Sequence, residues 1–320
     1  MRDLATEREI GGVRLGDFAN ERYGAPYWFI ARADLHTALL DAVRSHPAIR
    51  LKVGRTCVSV RQGPAEVELV CKAEGGVEEA IGADLLVGAD GLWSRVRAAL
   101  GDERAPVASG YVAYRTTIAR EAVPVRFRGN EGGLWLGPGR HLVHYPIGAE
   151  RALNVVAVER RADRLPDWSN AVDPGYVRSA FARAAAPVRE LIGAGATWSA
   201  WSLFDLPVGR VAWDRTALIG DAAHAALPFL AQGGALAIED ASRLAAELAR
   251  SPGDLRASLA RFSAARHGRA ARVQAGARRN ARLYHAAGPL ALPRNLVMRQ
   301  LGPEGMTRRY DWIYGHPAPA

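Results

Sequence analysis

Two segments of this chain share one local pattern, and it restricts the fold more than any other feature. Residues 83–91 read ADLLVGADG, and residues 216–224 read TALIGDAAH. Each is an apolar run closed by a turn of small residues that carries an Asp, and helical spacing resumes beyond it. Continuous apolar strands are buried on both faces, and strand, tight turn and helix in succession build parallel α/β sheets. In open sheets of that kind ligands sit beyond the carboxyl ends of the strands, which is where Asp221 falls.

The rest of the chain supplies other layers. Residues 27–44 start extended and become helical, with Asp34 as a candidate cap and Leu35, Leu39, Ala42 and Val43 at helical spacing. Between 49 and 88, short strands broken by Gly and Pro predict a β-meander. The segments GYVAYRTTI, GGLWLG, RHLVHYPIG and ALNVVAVE, all within 107–158, predict a broad antiparallel sheet suited to one wall of a substrate chamber. Residues 174–192 read as helical and 197–215 as extended and Trp-rich. A helix is expected from about Gly234 to Arg250, ended by Ser251 and Pro252. A long amphipathic helix follows from near Asp254, with Leu255, Leu259, Phe262, Val273 and Tyr284 as candidate buried positions.

Charge narrows the function classes once it is mapped. The chain has 42 Lys and Arg against 33 Asp and Glu, a net charge of +9. Residues 251–320 hold 12 Arg against Asp254, Glu304 and Asp311, so the excess lies in that segment and the remainder is balanced. Its Arg residues mostly alternate with the apolar stripe, which predicts a solvated helix face and makes a nucleic-acid binder the weakest reading. The opening MRDLATEREIGGVRLGDF has no apolar core for a secretory signal, and no run approaches the ~20 apolar residues of a bilayer span. Cys57 and Cys71 have neither the number nor the spacing of a disulfide framework, so a cytoplasmic protein is expected.

Several chemistries have no motif here. The sequence contains no P-loop, HExxH, CxxC, GxSxG or GxGxxG. The nearest approaches to the last, at Gly137 and Gly139 and at Gly193 and Gly195, carry Leu142 and Trp198 in place of the third Gly. Two positive motifs remain. In the first, Asp90 and Gly91 follow a buried strand and Ser94 can cap the next helix, a pattern read either as a structural turn or as a phosphate-facing helix start. The second runs from Gly220 and Asp221 through Ala222, Ala223 and His224 to Pro228, Gln232, Gly233 and Gly234, and on to Glu239, Asp240 and Ala241. Its acid can accept a hydrogen bond from a sugar-like hydroxyl, the small Ala pair permits close approach, and the paired Gly open a helix whose N–H groups favour negative charge. His224 reads as structural.

Together with RADL at 32–35 and the closing RYDWIY at 309–314, these motifs resemble the group A flavoprotein aromatic hydroxylases. Those are single-component FAD-dependent monooxygenases of the salicylate hydroxylase and 6-hydroxynicotinate 3-monooxygenase type. The resemblance implies an α/β fold: an incomplete FAD-binding doubly wound parallel sheet plus an antiparallel-sheet substrate domain and C-terminal helices. It divides the chain into a first FAD-binding segment (1–100), the substrate domain (101–205), a second FAD-binding segment (206–250) and a helical segment (251–320). It also implies that Asp221 holds the ribityl chain of FAD and that Arg32 contacts FAD. Asp90 and Gly91 then serve FAD and NAD(P)H, and the loop from Pro228 to Gly233 and Gly234 lies along the flavin ring. Ala231 stands where many members have Gly, which bears on how closely that loop approaches the ring. The family's opening strand, turn and helix with GxGxxG has no counterpart before Arg32, so a truncated protein is expected.

The activity so implied is hydroxylation of a small phenolic or carboxylated aromatic substrate through a flavin C4a-hydroperoxide. It consumes O2 and NADH or NADPH, with no metal, nucleic acid or membrane, and the oligomeric state stays open. On a strand, His141 and Tyr145 point to the same face with Cα atoms about 13 Å apart. The resemblance makes them the catalytic pair that brackets the substrate; the alternative is that they only pack in the sheet. Arg115 has two readings as well, a partner for a substrate carboxylate or an Arg satisfied on the sheet. A flavin-free pseudo-enzyme, or a fragment needing a partner, is the alternative function.

Overall fold

Leu86–Gly88 and Thr216–Leu218 run side by side as parallel strands, with Gly88 opposite Leu218. The pairing is close because Gly88 has no side chain. A Cβ there would lie 2.6 Å from Leu218 Cδ2 and 2.9 Å from Val96 Cγ1, so only Gly lets the following helix pack on this pair. Both apolar runs singled out in the sequence are therefore strands of one parallel ladder.

The computed structural model describes residues 1–165 and 169–318. Its strands are β1 (Arg2–Asp3), β2 (Arg55–Gln62), β3 (Val67–Ala73), β4 (Glu78–Ala83), β5 (Leu86–Gly88), β6 (Val107–Ala119), β7 (Gly133–Gly137), β8 (Arg140–Ile147), β9 (Ala152–Arg160), β10 (Asn170–Val172), β11 (Trp198–Asp205) and β12 (Thr216–Leu218). The helices are α1 (Gly16–Tyr23), α2 (Arg32–Ser45), α3 (Arg95–Ala99), α4 (Pro174–Ala180), α5 (Ala186–Gly193), α6 (Asp221–His224), α7 (Gly233–Arg250), α8 (Leu255–Tyr284), α9 (Ala291–Arg308) and α10 (Asp311–Tyr314). Parallel strands, a broad antiparallel sheet and C-terminal helices make this the mixed α/β class that the sequence indicates. Among the described residues no helix is long and apolar enough to cross a membrane.

The chain's contacts gather into two compact units. The first comprises residues 1–49, 110–203 and 281–316. It is built on a seven-stranded sheet in the order β1-β7-β8-β9-β6-β11-β10. Strand alternation sorts its side chains by face. Tyr114, Trp135, Leu142 and Val155 point one way and pack with Val177, Phe181, Val188 and Leu191 in the principal core. Arg115, Val143, Tyr145 and Val156 occupy the opposite face and are only partly buried.

The second unit comprises residues 50–109 and 204–280, with 317 and 318. Here β2, β3 and β4 form the expected meander, and β5 pairs with β12. Its core joins Val96, Ala217, Leu218, Leu244, Leu259 and Phe262. These units cut across the four expected segments: residues 1–49 gather with the broad sheet, because β1 pairs in parallel with β7.

Local expectations are modified in four places. Helix α2 starts at Arg32 with Ala31 in the capping position, so Asp34 sits inside the first turn, where its charge complements the helix dipole without capping it. None of the residues of α2 is buried, although their spacing is helical. The 174–192 segment is two helices, with Pro187 inside the first turn of α5. Along α8, Leu259, Phe262 and Val273 are buried while Leu255 and Tyr284 are partly so. Its Arg residues are not simply a solvated face: Arg266 is 3% exposed and ion-paired to Asp240 and Glu239, and Arg269 also pairs with Glu239. Arg261 and Arg278 pair with Glu247 and Asp205. Facing acids consume much of the charge that makes this segment look basic.

Candidate active site

In the second unit, the two Asp-bearing turns leave the C-terminal ends of adjacent parallel strands. Asp90 uses both carboxylate oxygens to start α3. Oδ1 accepts from the Ser94 hydroxyl at 2.5 Å, and Oδ2 accepts from the backbone N–H groups of Arg95 at 2.7 Å and Val96 at 3.1 Å. Ser94 in turn accepts from the N–H of Arg97 at 2.9 Å, the N-cap expected of it. Gly91 takes φ +79°, which lets the chain turn between strand and helix. The structural-turn reading of this motif is therefore realised in full, whatever Asp90 and Gly91 do for a ligand. Arg97, 4% exposed, joins the two turns: its guanidinium donates to Leu92 O and to Ala222 O, each at 2.8 Å.

The Gly220–Asp221 corner is held from behind by Asp240. Gly220 has φ +57° and ψ −140°, a conformation open mainly to Gly, and its N–H donates to Asp240 Oδ2 at 2.8 Å. The same oxygen lies 2.8 Å from His224 Nε2, and Oδ1 accepts from Arg266 Nε at 2.6 Å. Burial alone would raise the Asp240 pKa; His224, the Gly220 N–H and Arg266 override it and hold the carboxyl below its ordinary value. His224 is thus structural, as its motif neighbours suggest. With the corner fixed, Asp221 stands exposed as the first residue of α6, over the fully buried Ala222 and Ala223.

The loop that follows turns through a short 3-10 helix at Pro228–Leu230, and Pro228 is exposed. Ala231 has φ +52°, a left-handed conformation that Gly adopts at no steric cost, which explains physically why Gly suits this position. Gly233 and Gly234 begin the 18-residue helix α7, and Gln232 at its cap makes no side-chain bond to the first turn. A Cβ built on either Gly would meet nothing within 4 Å. An exposed carboxylate at a strand end and an uncapped helix start facing open space form a cradle for a flat, hydroxylated ligand. The residues present fit the ribityl chain and the electron-rich carbonyl edge of a flavin.

In the first unit, β8 places His141 and Tyr145 on one face with Val143 between them. Their surroundings differ. His141 is 3% exposed, with its Nδ1 2.8 Å from His285 Nε2, Tyr284 edge-on to its ring, and Tyr111 stacked on His285. Burial, with His285 alongside, lowers the His141 pKa well below the ordinary imidazole value, so the pair is neutral near pH 7. Tyr145 is partly exposed, and Phe29 stacks on it at 5.2 Å between ring centroids. Burial raises the Tyr145 pKa and the charge of Arg115 offsets part of the rise, so it remains a hydroxyl at neutral pH. Arg32 lies in this unit too, exposed at the start of α2.

Sequence reasoning passes over Arg97, His285 and Asn154, and it gives Asp240 no role. Arg97 and Asp240 lie inside the two Asp-bearing motifs and so carry a signal. Asn154, whose Oδ1 accepts from Arg115 Nε at 2.6 Å, and His285 carry none, since their partners are 39 and 144 positions away.

Comparison with known proteins agrees with this chemistry. The sequence matches the FAD binding domain family over residues 11–279. It is 34% identical to 3-hydroxybenzoate 6-hydroxylase 1 of Aquipseudomonas alcaligenes, over 98% of this chain and 79% of that one. It is likewise 34% identical to 3-amino-4-hydroxybenzoate 2-monooxygenase of Streptomyces cremeus, over 99% and 77%. Klebsiella pneumoniae HpxO, solved with FAD and uric acid, superposes with a TM-score of 0.84 at 24% identity, over 99% of this chain and 80% of that one; that likeness is one of fold. A salicylate hydroxylase substrate complex gives 0.79 at 24% identity, over 100% and 81%. With relatives of this identity matched across nearly its whole length, the chain belongs to the FAD-binding family of flavin-dependent aromatic monooxygenases.

Proposed function

We propose that this protein hydroxylates a small phenolic ring that carries a carboxylate, consuming O2 and NADH or NADPH. FAD, when bound, would supply the redox and oxygen-transfer chemistry, which the side chains alone do not carry. Asp221 would hold the ribityl hydroxyls, and the first-turn N–H groups of α7 at Gly233 and Gly234 would hold the electron-rich edge of the flavin. Pro228 shapes the loop beside the ring, while Asp90, Gly91 and Arg32 serve the cofactors. The observation that carries this reading is the exposed Asp221, fixed on its Gly220 corner by a fully buried carboxylate. We keep the four-segment division as the functional one, with 1–100 and 206–250 serving the flavin, 101–205 the substrate, and 251–320 as helical support.

His141 and Tyr145 are the proposed catalytic pair. The substrate ring lies over Val143, flanked by the two side chains. Tyr145, kept protonated, orients the substrate through its hydroxyl. His141, neutral and backed by His285, takes the phenolic proton transiently as the ring is attacked. Burial keeps the imidazole neutral and so free to accept a proton, and the contact with His285 fixes the orientation of its ring.

Two substitutions test the reading. Asp221→Ala should lose FAD, measured by flavin absorbance of the purified protein and by titration with FAD; unchanged FAD content refutes the role. His141→Ala should slow product formation while flavin reduction by NAD(P)H keeps its rate, and wild-type turnover would remove His141 from the mechanism.

A further inference from the structure

The face of the seven-stranded sheet opposite the principal core carries a partly buried cation, Arg115, that no described acid neutralises. The β6, β9 and β8 registers align Arg115 with Val156 and Val156 with Val143, and Val143 aligns with Leu134 on β7. The next row aligns Thr117, Asn154 and Tyr145. Neighbouring strands are about 4.8 Å apart, so Arg115 stands roughly 9.6 Å from Val143 across the sheet, with Val156 as an apolar step between. The partly buried Val143 and Val156 make a floor for one aromatic ring, with Tyr145 at its border.

Arg115 is held rather than loose. Its Nε donates to Asn154 Oδ1 at 2.6 Å, which fixes the plane of the guanidinium. No ion pair to Arg115 occurs among the described residues, whereas Arg140 on the same sheet is paired with Glu159. Asn154 is 0% exposed, and its Nδ2 has no hydrogen-bond partner among the described residues. A buried amide N–H without a partner is costly, so its presence beside an unneutralised guanidinium calls for an acceptor. The Arg115 charge also reaches the Tyr145 hydroxyl, where it favours the ionised form.

From this we infer that Arg115, positioned by Asn154, reads the carboxylate of the aromatic substrate and makes the enzyme specific for ring acids over neutral phenols. The inference rests on the proposed function and deepens it. The carboxylate accepts from the two terminal guanidinium nitrogens, the arrangement that gives planar Arg its advantage over Lys. The ring lies on Val156 and Val143, with its hydroxyl toward the His141 and Tyr145 side. Asn154 is a positioning residue: it sets the guanidinium and does not itself touch the reacting atoms.

The test is calorimetric titration of the FAD-supplemented protein with 3-hydroxybenzoate and with 3-hydroxybenzamide, which share the ring and hydroxyl and differ in charge. The wild type should prefer the acid by roughly 10- to 100-fold, the range of a bidentate charge-assisted contact. Arg115→Met should bring the two affinities within about 2-fold by losing the acid while keeping the amide, and Arg115→Lys should recover only part of the preference. Asn154→Leu should raise KM for the acid with kcat little changed, a split that a purely structural role would not produce. Equal wild-type affinities for acid and amide, or a preference retained in Arg115→Met, overturns the inference and leaves aromatic binding standing. The wild-type comparison does not depend on any variant folding. A wild type that binds neither ring overturns the inference together with the proposed function.

Discussion

Replacing Asp240 by Asn changes one oxygen to an NH2 group and should destabilise the protein severely. In the wild type this carboxylate accepts from two donors, Gly220 N–H on Oδ2 and Arg266 Nε on Oδ1, and His224 Nε2 lies 2.8 Å from Oδ2. An amide must turn its NH2 toward either Gly220 N–H or Arg266 Nε–H, so one donor faces another in both orientations. Asp240 is 0% exposed and Arg266 3%, so water cannot repair the mismatch, although Glu239 still contacts Arg266 at 2.9 Å. Removing one partner of a buried pair costs about 3–5 kcal/mol. At about 2–4 °C per kcal/mol, the melting temperature should fall by roughly 6–20 °C. Differential scanning calorimetry at pH 7 measures this, with Lys52→Met as control, since the Lys52–Glu79 pair is solvent-exposed and should matter little. The sign of the pH dependence follows from the lowered Asp240 pKa: the contribution is full above the ordinary Asp value and is lost as pH falls through the lower folded value. The gap between wild type and Asp240→Asn should therefore be constant near neutrality and shrink only below about pH 4. A fall in melting temperature under about 2 °C, or no larger than that of Lys52→Met, would falsify the claim that this network holds the Asp221 corner.

Two further outcomes follow from burial. The His144 side chain, packed edge-on to Phe127, has its pKa lowered to about 4 by burial, so the unfolded chain binds a proton that the folded one refuses. Stability should fall as pH drops from about 6.5 to about 4, by about 3 kcal/mol for this group, and urea titrations of His144→Leu should show a flatter profile there. An identical pH slope in the variant would dismiss His144 as its source. Gly88→Ala should cost about 1–3 kcal/mol through overpacking against Leu218 and Val96, read from denaturant midpoints at constant m; a neutral effect would show that α3 shifts freely on the parallel pair.

Much of the fold is legible because its signals are local. The apolar runs at 83–91 and 216–224, the meander, the broad antiparallel sheet and the helices after Gly233 follow from periodicity and turn chemistry, which act over a few residues. Ser94 as a cap is of the same kind. Where reading fails, the deciding partner is distant in sequence. Arg266 reads as one more solvated Arg until Asp240 arrives from the preceding helix. His141 reads as one residue of a substrate-bracketing pair, and only the fold shows that His285, 144 positions away, stands against its ring.

The sequence by itself determined the family, the flavin chemistry and the positions of the two Asp turns, because those rest on residue type at fixed short spacings. Only the tertiary structure decided which charges stay unneutralised and which hydrogen-bonding groups lack a partner. That depends on what strand register and helix packing bring within about 3 Å, and a linear pattern carries no such information. Asp240, one acid among several in its motif, became the support behind Asp221. Arg115, with two readings open in the sequence, became a cation held by Asn154 on the sheet face it shares with Val143 and Val156.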